Sequence, residues 1–308
     1  MTAMVGVVLG VSANVIFGVQ PLYWKLLEDF DSYQVTMHRL VWSLPVIGIA
    51  LVARHDLKTY FEVMQQKEMI AAYFVTALLM AVNFFLSLWA VTAGYVLQMS
   101  LGFFMNPLMT VLLGVVFLRE TMTHIQFCAI ALATIGVLVV TIGEGEFPWV
   151  ALAVGLDNAV FTLLRKIAPL NGLVATSMEI TMMFIPALIY LLCCEAMGTG
   201  EFGHSGFTAD LLMIGAGPWS VIPLVLLSLS IDHISLVVLG VIQFISPTLS
   251  TLLGLFVFGE IPSQSLVIGF TCVVLALIIF TYASAVAPSP EEKTLLLPQK
   301  HPIQEKKV

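Results

Sequence analysis

The 308-residue chain is 59% hydrophobic and only 10% charged, with a mean hydropathy of +1.02. A soluble domain carries roughly 25% charged residues to face water, so a soluble globule is excluded and lipid is the expected main solvent. The net charge of −7 comes with no basic stripe, which leaves nucleic-acid binding without support.

A helix needs about 20 apolar residues to cross ~30 Å of hydrocarbon. In chain order, apolar runs predict spans over residues 4–24, 33–53, 70–91, 97–118 and 124–142, then 147–164, 173–194, 210–230, 235–258 and 264–284. The first run has no basic region before it. It ends in Gln20-Pro21-Leu22-Tyr23-Trp24-Lys25, not in a small-residue cleavage site, so it reads as a retained helix. Pro45, Pro107, Pro186, Pro218, Pro223 and Pro247 interrupt spans, and each removes a backbone hydrogen bond and tends to kink its helix. Cys128, Cys193, Cys194 and Cys272 fall in apolar runs without metal-ligand spacing. They read as packing residues, and no cofactor or metal is expected. After Ala285 the sequence turns to Pro-Ser-Pro and charges, which predicts a disordered tail over 287–308.

Ten spans place both termini on one side of the bilayer. With the termini cytoplasmic, inside segments hold Arg54, Lys58, Lys67, Arg119, Arg165, Lys166, Lys293, Lys300, Lys306 and Lys307. Outside loops carry Glu144, Glu146, Glu195, Glu201 and Asp210. The positive-inside rule therefore predicts cytoplasmic termini. The plasma (inner) membrane is the expected location. Glu291-Glu292-Lys293-Thr294-Leu295-Leu296 has the form of an acidic dileucine address, which in a eukaryote would point to an endolysosomal or vacuolar membrane.

An internal repeat is visible. Shifting by 140 residues matches Pro107 to Pro247, Leu112-Leu113-Gly114 to Leu252-Leu253-Gly254, Glu120 to Glu260 and Arg39 to Glu179. At a shift of 144, Asn14 and Phe17 fall on Asn158 and Phe161. Five spans per half is an odd number, so the second half enters from the opposite side. The fold expected is an all-α membrane protein, ten transmembrane helices in two inverted five-helix repeats, 1–143 and 144–286. Such repeats are typical of secondary transporters, with the solute held near the midplane between the halves.

Polar residues at membrane depth are costly and normally face a cavity or a partner. Asn14, Asn83, Asn106, Asp157, Asn158 and Gln243 fall near the middle of their spans, which suggests one wet cavity for solute. Interhelical hydrogen bonding is the competing account. Asp157 is the costliest, and an acid there is most cheaply held neutral, which makes it a proton-coupling candidate. Glu179 and His38 are further candidates. Arg39 is a candidate solute contact that could meet Glu179 across the halves, and snorkelling to the headgroups is its alternative.

Thr36-Met37-His38-Arg39-Leu40-Val41-Trp42-Ser43, Ser100-Leu101-Gly102-Phe103-Phe104-Met105-Asn106-Pro107 and Val241-Ile242-Gln243-Phe244-Ile245-Ser246-Pro247-Thr248 resemble the RarD-type branch of the EamA transporters. So do Asn83 with Leu88-Trp89-Ala90-Val91, and Leu164-Arg165-Lys166. That branch lies in the drug/metabolite transporter superfamily, and the resemblance spans approximately residues 3–285. It implies a permease, often an exporter of metabolites, amino acids or drugs, and the RarD name is tied to chloramphenicol resistance. It also adds Trp89 to the solute-contact candidates. Asp157 departs from the small or hydroxyl residue usual there. The function expected is secondary transport of a small solute in the bilayer, by a monomer or homodimer. A non-transporting receptor or assembly factor is the alternative. An intramembrane enzyme is weaker, for want of His-Glu-x-x-His or Gly-x-Ser-x-Gly. No Walker loop is present to bring ATP to this chain.

Overall fold

The computed structural model describes residues 3–92, 96–143, 149–257 and 263–286. Regular structure among them is entirely helical. The α-helices are α1 (Ala3–Trp24), α2 (Ser32–Ala53), α3 (Leu57–Val63), α4 (Lys67–Thr92), α5 (Val96–Leu118) and α6 (His124–Gly143). They continue as α7 (Trp149–Ile167), α8 (Gly172–Ala196), α9 (Phe207–Ile231), α10 (Leu236–Gln243), α11 (Ile245–Phe256) and α12 (Gln264–Val286). A 3-10 turn, Lys25–Leu27, extends α1.

Local chemistry sets the helix starts. Asp31 accepts from Gln34 N at 2.9 Å, Asn171 from Val174 N at 3.0 Å and Ser235 from Val238 N at 3.3 Å, each a side-chain cap on an otherwise orphaned amide. Before α6, Thr123 N donates to Gln126 Oε1 at 2.9 Å and Gln126 N donates to Thr123 Oγ1 at 3.3 Å, forming a capping box.

Six described helical segments are long and apolar enough to cross a membrane: α1 with its turn, α2, α6, α8, α9, and α10–α11 together. The predicted runs match long helices to within a few residues, with two corrections. The short helix α3 was not expected, and the ninth run is two helices. Its break falls at Phe244, where Pro247 has no N–H to return to the Gln243 carbonyl. Pro45, Pro107, Pro186, Pro218 and Pro223 instead lie inside continuous helices. The predicted tail and its dileucine, Glu144, Glu146 and Glu260 lie outside the described residues, as does the Trp89 side chain.

The molecule is apolar outward. Ile49, Phe74, Phe117, Phe127, Ile142, Ile185, Phe256 and Ile278 are all exposed, as lipid-facing side chains are. Of the cysteines, Cys194 is buried while Cys128 and Cys193 lie on this outer face.

Small residues set the helix spacing. The antiparallel pair α6 and α12 touches through Gly136 and Gly269: a Cβ on Gly136 would stand 2.7 Å from Gly269 O, and one on Gly269 2.6 Å from Gly136 O. Gly217 of α9 lies against the Trp42 backbone of α2 in the same way. Close backbone approach of this kind is how membrane helices gain contact without a hydrophobic driving force. Gly136→Ala is expected to lower stability by about 1–3 kcal/mol, because the added methyl meets rigid backbone. Thermal unfolding in detergent checks it against Gly48→Ala, where a Cβ meets nothing within 4 Å; equal midpoints for the two variants would contradict the packing argument.

Candidate functional site

Three groups of polar residues run through the bundle. The first is at the end where α7 turns into α8. Arg165, in the last turn of α7, is buried, with its side chain 2% exposed. Its Nη2 donates to Gly172 O at 3.1 Å and Thr176 Oγ1 at 2.8 Å, and its Nη1 lies 3.4 Å from Glu179 Oε1. The Glu179 side chain is fully buried, and its Oε2 has no hydrogen-bond partner among the described residues. Thr176 Oγ1 also lies 2.9 Å from Ser228 Oγ of α9. Around this pair, charges close helix ends. Glu120 accepts from Leu236 N and Val237 N at 2.7 Å each, Asp232 accepts from Gly172 N at 2.8 Å, and Lys166 Nζ donates to Ile234 O at 2.6 Å and to Ile231 O.

The second group is at mid-bundle. Asn14 Nδ2 donates to Gly10 O at 2.8 Å, and Asn158 Nδ2 donates to Val154 O at 3.0 Å. Asn106 Oδ1 accepts from Thr110 Oγ1 at 3.3 Å. These three amides therefore spend bonds on their own helices, which is the structural use that the sequence left open. Gln243 is buried at the end of α10, and its Oε1 has no partner among the described residues. Asn83 of α4 faces Asp157 of α7 and interacts with its carboxylate. The Asn83 Nδ2 nonetheless closes no bond of ordinary geometry among the described residues.

The third group is at the opposite end of α8 and α9. Arg39 Nε donates to Ser220 Oγ at 2.9 Å, and its guanidinium carbon lies 4.6 Å from the centre of the Trp24 ring. Arg39 is thus held between α9 and an aromatic face. Tyr23 donates to Leu212 O at 2.6 Å and stacks on Trp219 at 5.4 Å. His38 is buried, with its ring 5.0 Å from that of Phe202.

One expectation is corrected. Glu179 pairs with Arg165, whereas Arg39 is engaged by Ser220 and Trp24 at the other end. Sequence reading counted Arg165 as a loop cation and so missed it. Its separation from Glu179 by 14 residues across a helical turn was the available signal. The clefts found among the described residues are small and apolar and lie along α6 and α12, beside Phe104, Gly136 and Gly269 and beside Ala129, Phe244 and Phe280.

Long apolar helices with a lipid-facing exterior and polar groups turned inward define a multi-pass integral membrane protein. Comparison with known proteins supplies the class. Residues 4–142 match the EamA-like transporter family. The protein RarD of Streptomyces exfoliatus is 32% identical over 277 residues, covering 90% of this chain and 88% of that one. The uncharacterized transporter YojE of Bacillus subtilis is 32% identical over 281 residues, covering 90% and 94%. A crystal structure of a protein 17% identical superposes with a TM-score of 0.69 over 91% of this chain and 98% of its own, a likeness of fold. The chain belongs to the EamA-like transporter family, in its RarD-type branch, and is a membrane transporter.

Removing one partner of a buried ion pair strands the other charge and costs about 3–5 kcal/mol, whereas replacing both with apolar side chains is often neutral. Arg165→Met and Glu179→Leu are each expected to lose stability on that scale, and the double variant to regain most of it. Thermal unfolding in detergent measures the cycle; additive losses would mean that the two residues do not act as a pair.

Proposed function

We propose that the chain is a secondary transporter of a small solute, working by alternating access between two inverted five-helix repeats, 1–143 and 144–286. In this reading α1, α2, α4, α5 and α6 cross the membrane as the first repeat. The second consists of α7, α8, α9, the broken pair α10–α11, and α12, with α3 lying between spans.

One observation carries the reading: contacts repeat when the halves are exchanged. A Cβ on Gly10 of α1 would meet Ile242 of α10 at 3.5 Å, and one on Gly102 of α5 would meet Val154 of α7 at 3.2 Å. Residues 10 and 154 differ by 144, and 102 and 242 by 140, the two shifts seen in the sequence. Asn14 and Asn158, also 144 apart, make the same bond to the carbonyl four residues back. On this reading α1 packs on α9 as α7 packs on α4, and α2 and α8, and α6 and α12, face each other across the pseudo-twofold axis.

The solute would seat at mid-bundle among Asn14, Asn83, Asn106, Asn158 and Gln243, with Trp89 and Arg39 as further contacts. The unpartnered Gln243 Oε1 and Asn83 Nδ2 are the groups best supported, since each still has bonding capacity to offer. Export of metabolites, amino acids or drugs is the direction and class the family resemblance favours, with both termini cytoplasmic. Asp157 is the leading proton carrier because it faces a polar amide within the span, and Glu179 and His38 are the alternatives.

The experiment is flux in proteoliposomes containing only this protein, over a panel of amino acids, metabolites and chloramphenicol, with and without a pH gradient. Asn106→Leu and Gln243→Leu are expected to cut flux far more than they cut folded protein; loss of both in proportion would make these amides packing elements. Asp157→Asn is expected to keep exchange at equal concentrations while losing uphill movement driven by the gradient. Wild-type flux indifferent to the gradient would remove the proton from the mechanism, and no flux of any solute would favour the receptor or assembly reading. Cysteines placed at Ala196 should label from outside intact cells and ones at Lys58 should not. The reverse pattern would invert the topology.

A further inference from the structure

Residues 197–206, between α8 and α9, form a strap across the ends of α2 and α9, at the face opposite Arg165. Polar bonds to the start of α2 fasten it. Both Glu201 carboxylate oxygens accept from Asp31 N at 3.0 Å, Glu201 N donates to Gln34 Oε1 at 3.1 Å, and Gln34 Nε2 donates to Thr199 O at 2.8 Å. Below these fastenings Phe202 turns inward. Its ring lies 5.0 Å from that of His38 and 5.9 Å from that of Trp42, and it packs on Leu27, Val35, Met213 and Ala216.

Two further features suggest that this seat is temporary. Gly198, Gly203 and Gly206 have φ of +72°, +82° and +99°, and a Cβ at any of them would meet nothing within 4 Å. Packing therefore does not demand glycine at these positions; left-handed chain direction does. Under the ring, His38 Nδ1 and Trp42 Nε1 are buried with no hydrogen-bond partner among the described residues. Buried polar atoms left unpaired oppose the closed arrangement, and water would satisfy both once the ring withdrew. The carboxylate fastening is exposed, where water competes for it.

We propose that this strap is a gate. When seated, Phe202 is a plug over the His38 and Trp42 rings of α2. When the Glu201 and Gln34 fastenings release, together with the bonds from Gly203 N to Asp210 Oδ1 and between His204 and Glu195, the strap swings on its glycines and opens His38 and Trp42 to water and solute. The purpose of the gate rests on the transport reading above, but its movement can be measured without any transported solute.

The test is alkylation of a reporter cysteine by a membrane-impermeant maleimide, in a background with Cys128, Cys193, Cys194 and Cys272 replaced by alanine. His38→Cys is one reporter and Met213→Cys, fully buried beneath Phe202, is the second. Phe202→Ala removes the plug, and Gln34→Ala loosens the strap with the ring intact. Each is expected to speed reporter labelling by about tenfold or more through local opening, whereas Phe202→Trp should leave it near the parent rate. Ala13→Cys, fully buried in α1, controls for general unfolding and should stay unlabelled throughout. Reporter rates within twofold of the parent in both Phe202→Ala and Gln34→Ala would overturn the gate. So would a parallel rise at position 13, which would mean that the bundle had loosened as a whole.

Discussion

Hydrocarbon offers a polar group no water, so every donor, acceptor and charge at membrane depth must find its partner inside the protein or face a wet path. Most features of this molecule follow from that constraint. Apolar side chains as large as Phe256 and Phe117 point outward, while Glu179, Arg165, Thr176, Ser177 and Ser230 are buried. Helix ends obey it too. Glu120, Asp232, Asn171 and Ser235 cap amides, and Lys166 takes the carbonyls that α9 leaves open. The Arg165–Glu179 pair is the extreme case, a buried ion pair in which guanidinium, carboxylate, hydroxyl and carbonyl meet within two turns of α8.

The same constraint explains why unpartnered polar atoms carry information here. Gln243 Oε1, Asn83 Nδ2, Glu179 Oε2, His38 Nδ1 and Trp42 Nε1 come from α10, α4, α8 and α2. A bundle that served only to pack would gain by replacing them with methyl groups. They are the groups on which the transport reading proposed above rests.

Sequence alone made much of the fold legible, because hydropathy is a strong signal when the solvent is lipid. Among the described residues each predicted run falls on helix, the ninth with a break at Phe244. The break at Phe244 was half legible: Pro247 marked the place, but the equivalent Pro107 sits in an unbroken helix, so proline alone does not decide. The amphipathic α3 escaped because a seven-residue helix leaves too little periodicity to read. At the candidate site, residue type showed which groups had to be inside but not which met. Arg165 sits beside a basic neighbour at a helix end, as a loop cation would, and only the turn into α8 folds it back onto Glu179. The amides could be placed near the middle of their spans, yet whether an asparagine bonds its own helix or a neighbour depends on one rotamer that no pattern encodes.

Gly136 against Gly269 has a mechanical consequence. Elsewhere, helices slide past one another by letting side chains change rotamer, so that small shears are absorbed. Main chain resting on main chain has no such slack: translation along α6 would drive one carbonyl into the next α-carbon. The contact also runs along the pair, from Gly143 against Ser265 to Gly136 against Gly269 and Cys272. On the two-repeat reading proposed above, α6 and α12 therefore move as one body, and any rearrangement falls to helix pairs that side chains keep apart.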